Sequence, residues 1–83
     1  MQLRSDGLTW QEIEGELVIL DLENSTYLTT NAAGAVLAKL LTEDRSLDEL
    51  ADALVTEFGI DQQLARRDSE AFVRQLNEKK LLR

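Results

Sequence analysis

Thr26-Tyr27-Leu28-Thr29-Thr30-Asn31 is the stretch of sequence that decides the fold. Five residues with strong β preference run directly into an asparagine, a favoured residue at the N-cap of a helix. No charged residue occurs from Asn24 to Ala38, although 30% of the chain is charged. If this strand lies at the edge of a sheet, it lacks the charges and prolines that normally discourage pairing with another chain. Such an edge is covered, prone to aggregation, or a docking site for an extended peptide.

Two further strands precede this one. Residues Leu8 to Ile13 alternate loosely and end at Glu14-Gly15, which resembles the short turn of a β-hairpin. Residues Glu16 to Leu22 are apolar on both faces, which predicts a central strand with cover on at least part of each side. A polar turn at residues 23–25 then leads to Thr26. The pattern predicts a three-stranded meander with its third strand at an edge.

Three helices follow the strands. Asn31 caps the first, and Ser46 with Glu49 forms the capping box of the second. Gly59 ends the second helix, because a left-handed residue is favoured there. Asp61 begins the third, whose apolar stripe is interrupted at residues 68–69. Strands followed by helices predict an α+β fold, winged helix-turn-helix-like, with a three-stranded antiparallel sheet and then three helices. We expect one domain over residues 1–83, with residues 1–5 disordered.

The composition argues against an enzyme. The chain has no Cys and no His, so it lacks thiolate ligands, disulfides and the commonest general base. There is no glycine-rich phosphate loop, and the paired Asp48 and Asp52 fall on the outward face of the second helix. A hard-cation site from Asp21, Glu23 and Asn24 would lack the pattern of a calcium-binding loop. We therefore expect no cofactor, no metal and no catalysis.

The charge distribution bears on the choice of partner. A net charge of −7 disfavours nucleic acid, although residues 61–83 form the only net-positive segment. Arg66, Arg67 and Arg74 on the third helix support a rival hypothesis, a winged-helix nucleic-acid-binding protein. They could equally be surface charges, for example Arg74 paired with Glu70 four residues earlier. No membrane span or secretory signal is evident, so we expect a cytoplasmic protein that binds no membrane.

Peptide binding is the third interpretation. The third strand would supply backbone groups, and the third helix would supply a groove wall. The side chains expected around Phe72 are those of Arg67, Asp68, Ala71, Arg74 and Gln75. The alternative is that Ala71 and Ser69 only face a tight helix contact, and the sequence favours neither.

Several segments together resemble the PqqD-like family. They are Tyr27–Ala35, Arg45–Leu54, Glu57–Ile60 and Asp68–Leu76, followed by Leu81-Leu82. Members of this family are recognition elements for the precursors of ribosomally made, modified peptides. The resemblance implies a winged-helix-like fold in which a leader peptide adds to the third strand and packs against the third helix. The implied peptide-binding residues are Thr26, Tyr27, Leu28, Thr29, Thr30, Arg67, Asp68, Ala71, Phe72, Arg74 and Gln75.

The chain is most similar to the stand-alone version from lasso-peptide biosynthesis. That similarity implies delivery of the precursor to a leader protease and a cyclase, and a leader that often carries a Tyr-x-x-Pro motif. A peptide chaperone for a radical enzyme of quinone-cofactor biosynthesis is the alternative within the family. We expect a monomer, with a dimer paired through the same edge as the alternative.

Two positions depart from the family pattern. Thr30 stands where members commonly have Leu, which predicts a weaker apolar plug between sheet and helix. Lys80 stands where members often have Gly, which predicts a different C-terminal turn.

Overall fold

The computed structural model describes residues 1–83 and contains three strands followed by three helices. The strands are β1 (Leu8–Ile13), β2 (Glu16–Asp21) and β3 (Thr26–Thr29). The helices are α1 (Ala32–Leu40), α2 (Leu47–Phe58) and α3 (Gln62–Glu78). The predicted α+β order is confirmed.

The sheet is an antiparallel meander in the order β1-β2-β3. Ile13 and Glu16 pair across a two-residue turn in which Glu14 and Gly15 both have positive φ, 52° and 81°. Turns of this type match the right-handed twist of the flanking strands. The meander leaves β3 at an edge, as the sequence predicts.

The helix ends follow the capping residues. The Asn31 side chain accepts from the Gly34 N–H at 2.8 Å. Ser46 and Glu49 bond reciprocally at 3.1 and 2.9 Å, which completes the capping box. Gly59 is left-handed, with φ of 64°, and Asp61 caps α3.

One hydrophobic core joins the sheet to the helices. The inner side chains of β2, Leu17 and Ile19, are buried together with Leu28 of β3. The helices contribute Leu37 from α1, Leu50 and Leu54 from α2, and Leu76 from α3. Burial of each such side chain contributes about 1.5–3 kcal/mol before conformational entropy is subtracted. The helices thus cover a single face of the sheet.

The N-terminal residues, for which we expected disorder over residues 1–5, contact the rest of the fold. Leu3 is buried, and its N–H donates to the Leu41 carbonyl oxygen at 2.8 Å. The Arg4 N–H donates to the Leu81 carbonyl oxygen at 2.8 Å, and Leu3 forms an antiparallel bridge with Leu82. Leu3 stands in a short, mostly polar segment with no helical or strand periodicity, so its docking could not be inferred from the sequence.

The turn after α3 keeps a left-handed residue although it lacks glycine. Lys80 has φ of 59°. The Leu81 N–H donates to the Leu76 carbonyl oxygen at 2.9 Å, and the Lys80 N–H donates to that of Asn77 at 3.1 Å. These two bonds form a Schellman motif. This turn therefore differs from the family pattern in that a lysine, and not a glycine, adopts the left-handed conformation.

Candidate peptide-binding groove

The free edge of β3 presents the backbone groups of Tyr27 and Thr29. The Thr30 N–H donates to the Leu17 carbonyl oxygen at 2.8 Å, so residues 17 and 30 form a hydrogen-bonded pair. Hydrogen-bonded and non-hydrogen-bonded pairs alternate along antiparallel strands. From the register, Leu28 and Thr26 therefore bond to β2, while the N–H and C=O of Tyr27 and Thr29 point away from the sheet. The strand thus has two donors and two acceptors open to a visiting chain.

A groove of about 730 Å³ lies between the end of β3, the first turn of α1 and α3. Its apolar lining includes Leu37, Leu54 and Phe72, and its polar lining includes Asp68, Arg74, Gln75 and Glu78. The remaining lining residues are Thr29, Thr30, Asn31, Ala33, Gly34 and Ala71. Leu37 and Leu54 are themselves buried, so a side chain entering this groove would meet mainly Phe72 and the small side chains of Ala33 and Ala71, bordered by charge.

Gly34 determines the shape of this groove. A Cβ atom at this position would lie 2.9 Å from the Thr30 Cβ and 3.1 Å from the Phe72 Cε1. Real Cβ atoms do not approach a backbone-anchored atom so closely without displacing it. The absence of a side chain at Gly34 therefore lets the end of β3 and α3 approach each other across α1.

A shallower cleft of about 430 Å³ continues along the edge of β3. It is lined by residues 25–29 and by Lys79, which follows the last turn of α3. Thr29 belongs to both depressions. An extended peptide lying along β3 would therefore contact the cleft and the groove in succession.

The structure brings most of the predicted site residues together. Thr29, Thr30, Asp68, Ala71, Phe72, Arg74 and Gln75 line the groove. Thr26, Tyr27 and Leu28 line the cleft, whereas Arg67 is exposed and lines neither. The sequence left open whether Ser69 and Ala71 line a groove or face a tight helix contact. In the structure, Ser69 is buried, whereas Ala71 is exposed and lines the groove.

The sequence missed contributors from other elements. Asn31 and Gly34 belong to the first turn of α1, Leu54 comes from α2, and Glu78 and Lys79 end α3. The sequence did contain one indication of the α1 residues. A helix that is capped directly after a strand must flank the end of that strand, so its first turn could have been predicted to lie at the groove. No such indication existed for Leu54, because its position in the apolar stripe of α2 predicts only that it is buried.

The charged side chains at the groove are unpaired, whereas Arg66, which precedes them on α3, forms ion pairs. Asp68, Arg74 and Glu78 form no ion pair within 4.0 Å. Arg66 is instead held by Asp48 and by Glu70, the latter at 3.4 Å. The predicted pair of Glu70 with Arg74 is therefore replaced by Glu70 with Arg66. One of the three arginines required by the nucleic-acid hypothesis is thus already paired.

Asp21 is saturated by protein donors. Its carboxylate accepts from the Asn24 Nδ2 at 2.8 Å and from the Arg4 Nη2 at 2.6 Å, and it also accepts from the backbone N–H groups of Glu23 and Asn24. The Asn24 side chain contributes most to lowering the pKa of Asp21, Arg4 lowers it further, and desolvation opposes both. No cluster of potential metal ligands is present, and no helix is long and apolar enough to cross a membrane.

Comparison with known proteins identifies the family. The model of the family described as coenzyme PQQ synthesis protein D (PqqD) matches residues 16–82. The chain belongs to the PqqD family. A search of curated proteins finds no match to this PqqD-family chain.

Two solved structures share the PqqD-family fold seen here. TbiB1 in complex with the TbiA(beta) leader peptide has a TM-score of 0.85 and 34% identity, over 99% of this chain and 94% of that one. A lasso peptide synthetase B1 complexed with the leader peptide has a TM-score of 0.80 and 25% identity, over 96% of this chain and 93% of that one. Both similar proteins hold leader peptides.

Proposed function

We propose that this chain is a non-catalytic recognition protein that binds the leader segment of a ribosomally made precursor peptide. The leader adds to the free edge of β3 as a fourth strand and places side chains in the groove beside α3. The observation that carries this proposal is the open β3 edge, with the outward groups of Tyr27 and Thr29 next to a groove of about 730 Å³. The two structural neighbours that hold leader peptides support it.

Affinity in this arrangement comes from two sources. Backbone pairing with a four-residue strand fixes the direction and register of the leader but buries little apolar surface. Most of the binding energy therefore comes from a few anchor side chains in the groove, against Phe72 and the small side chains of Ala33 and Ala71. Asp68, Arg74 and Glu78 border the groove, so charge complementarity with the leader acts mainly on association rate and specificity.

The bound precursor is then presented to processing enzymes. Similarity to a lasso peptide synthetase B1 supports a leader protease and a lasso cyclase as the recipients. It favours them over the radical enzyme of quinone-cofactor biosynthesis. We place this step in the cytoplasm, because a ribosomally made precursor is first available there.

A titration tests leader binding directly. A fluorescein-labelled synthetic leader peptide of the cognate precursor is titrated with the protein and followed by fluorescence anisotropy. We expect saturable binding, weakened by about tenfold or more in Thr29→Pro, because proline removes an N–H that faces the visiting strand. Absence of saturable binding at tens of micromolar would contradict the proposal.

Glu12→Pro is the matched control. The Leu22 N–H donates to the Gly7 carbonyl oxygen at 2.7 Å, so the alternation directs the Glu12 N–H to the opposite, β1 edge of the sheet. Glu12 is exposed and loses only its surface ion pair with Lys39. We expect this variant to bind the leader as the wild type does. Equal losses in both variants would indicate general disturbance of the sheet.

A further inference from the structure

Lys79 is the one charged residue among those that line the cleft along β3. The others, residues 25–29, carry hydroxyl or apolar side chains. Lys79 is exposed and forms no ion pair within 4.0 Å, although acidic residues outnumber basic ones by 16 to 9. Its ammonium group is therefore free to meet a ligand at the edge of the sheet.

A leader added to β3 would bring side chains to Lys79. Successive side chains of a strand point to opposite faces of the sheet, so alternate residues of the visiting strand lie on the side that the helices cover. Lys79 lies on that side, because it directly follows the last turn of α3. Thr29 lies where the groove meets the cleft, so leader side chains beyond it, toward Ser25, enter the cleft. At least one of them therefore approaches Lys79.

The backbone that carries Lys79 is fixed on both sides. The Lys79 N–H donates to the Gln75 carbonyl oxygen at 3.2 Å. The next residue, Lys80, donates its N–H to the Asn77 carbonyl oxygen at 3.1 Å. Leu81, which follows, is only 1% exposed. The ammonium group of Lys79 therefore moves on a flexible four-carbon stem around a fixed point of attachment.

The Arg4 side chain joins this turn to the turn that begins β3. Its Nε donates to the Lys80 carbonyl oxygen at 2.8 Å. Its Nη2 donates to the Asp21 carboxylate at 2.6 Å, and its Nη1 donates to that of Glu23 at 3.0 Å. Asp21 in turn accepts from the backbone N–H groups of Glu23 and Asn24. These contacts, which we call the Arg4 bridge, tie the two walls of the cleft together.

Arginine suits this bridge better than lysine. Its planar guanidinium presents five N–H donors in a fixed fork, so one side chain bonds both walls at once. The side chain of Arg4 is 20% exposed and that of Asp21 is fully buried, so the bond between them is shielded from water. The Arg4 bridge therefore sets the distance between Lys79 and β3 before a leader arrives, which lowers the entropy lost on binding.

The group that Lys79 complements is a carboxylate. In a ribosomally made leader, the side chains of opposite charge are those of Asp and Glu. The groove would not select one sign of charge, because Asp68, Arg74 and Glu78 all border it. An ion pair at an exposed edge contributes little to affinity, so the contact with Lys79 acts mainly on specificity.

We propose that Lys79 selects an acidic side chain at the leader position that lies in the cleft, and that Arg4 is a positioning residue that holds Lys79 at a fixed distance from β3. This inference rests on the proposed function, since it requires a leader strand on β3. It divides recognition between two depressions: the groove takes anchor side chains, and the cleft selects a charge.

A charge scan of the leader tests this selection. The probe is the fluorescein-labelled cognate leader in two series, in which each residue in turn is replaced by Glu or by Lys. Fluorescence anisotropy gives the ratio of the two dissociation constants at every position. We expect a position at which the wild type binds the Glu peptide about three to ten times more tightly than the Lys peptide. In 1 M salt this ratio should approach one.

Lys79→Glu should invert the preference at that position. A carboxylate on the wall of the cleft would then attract the Lys peptide and repel the Glu peptide. Lys80→Glu is the matched control, because Lys80 is the adjacent residue, is exposed and lines neither depression. It changes the net charge by the same amount. We expect Lys80→Glu to keep the preference of the wild type.

Arg4→Lys tests the positioning role. This variant keeps a cation beside the buried Asp21, but one ammonium group cannot also hold the Lys80 carbonyl oxygen. We expect the ratio at the responsive position to fall to about half or less. Arg45→Lys is the matched control: Arg45 also bonds a backbone carbonyl oxygen and two carboxylates, and it lines neither depression. Both variants are compared at a temperature where circular dichroism shows them folded.

The outcomes distinguish the two proposals. If the wild type fails to bind the leader, the proposed function itself fails. If the wild type binds the leader but no position shows a preference for Glu that Lys79→Glu inverts, selection by Lys79 is overturned while leader binding stands. Inversion of the same preference by Lys80→Glu would indicate a general effect of net charge and would also overturn it. An unchanged ratio in Arg4→Lys, or an equal fall in Arg45→Lys, would overturn the positioning role of Arg4.

Discussion

The Thr30 hydroxyl replaces a backbone carbonyl as the hydrogen-bond partner of Leu17. Its Oγ1 accepts from the Leu17 N–H at 3.2 Å and donates to the Leu17 carbonyl oxygen at 3.1 Å. That same carbonyl oxygen accepts from the Thr30 N–H at 2.8 Å. Thr30 is only 5% exposed, so these bonds are shielded from water. The junction of β3 and α1, where Thr30 in place of the family's Leu led us to expect a weaker apolar plug, is closed by hydrogen bonds.

Replacing Thr30 should therefore separate the role of the hydroxyl from that of side-chain volume. Thr30→Val keeps the shape but leaves the Leu17 N–H without a partner, which should lower the free energy of unfolding by about 1–3 kcal/mol. Thr30→Ser keeps the hydroxyl and should lose less. Urea denaturation monitored by circular dichroism measures both. A larger loss in Thr30→Ser than in Thr30→Val would show that the methyl group, not the hydroxyl, holds the junction.

A bulky residue in the groove should block the leader without affecting the helix. Ala71 is exposed and lines the groove, so Ala71→Arg should weaken leader binding by about tenfold or more while leaving helicity unchanged. Asn77→Arg is the control, because Asn77 is exposed on the same helix and lines neither depression. Anisotropy titration with the labelled leader measures both. Normal binding by Ala71→Arg would place the leader elsewhere.

Acid should destabilise the fold through Asp21. The Asn24 side chain, followed by Arg4, holds the pKa of Asp21 below its ordinary value of 3.8 in the folded chain. The unfolded chain then binds more protons as the pH falls, so the stabilisation is present above pH 3.8 and is lost as the pH falls through the lower, folded pKa. Thermal unfolding between about pH 6 and pH 2 should show this loss in the wild type.

Asp21→Asn should show a shallower fall in melting temperature over the same range. Some acid sensitivity should remain, because the pKa of Glu49 is also lowered, chiefly by the Ser46 backbone N–H. Arg4→Gln should have an intermediate effect, since it leaves the Asn24 contacts in place. Identical pH profiles for Asp21→Asn and the wild type would contradict the assignment.

The turn after α3 should be improved by glycine. A residue with a Cβ costs about 1–2 kcal/mol in the left-handed conformation that Lys80 adopts. Lys80→Gly should therefore raise the free energy of unfolding by about 1 kcal/mol, after the greater backbone entropy of unfolded glycine is subtracted. Lys79→Gly is the control: φ at Lys79 is −88°, so glycine there should destabilise the protein. Thermal denaturation of both variants gives the sign directly.

The sequence predicted those features that depend on near neighbours along the chain. Asn31, Ser46 with Glu49, Gly59 and Asp61 mark helix ends because capping involves residues within one turn, and all four lie where they were expected. The edge position of β3 follows from the short turns of the meander. These features depend on residues close together in the chain, so the spacing of residue types in the sequence is enough to predict them.

Features that depend on distant contacts were missed or left open. Leu3 docks against Leu41, and Leu54 reaches a groove formed mainly by α1, α3 and β3. Neither contact has a periodic signature. Arg67 was included with the α3 wall because helical spacing places it near Asp68, whereas it lines neither depression. The interrupted stripe on α3 left the roles of Ser69 and Ala71 open, and only packing separates a buried Ser69 from an exposed Ala71.

The bridge between Leu3 and Leu82 brings both ends of the fold to one place. A unit whose ends adjoin can be joined to another polypeptide at a single point, or inserted into a surface loop, without stretching the host chain. With this geometry the unit can be placed within a larger enzyme while the free edge of β3 stays open. Fusion to a processing enzyme would then replace a bimolecular encounter with a tethered one, in which linker length sets the effective concentration.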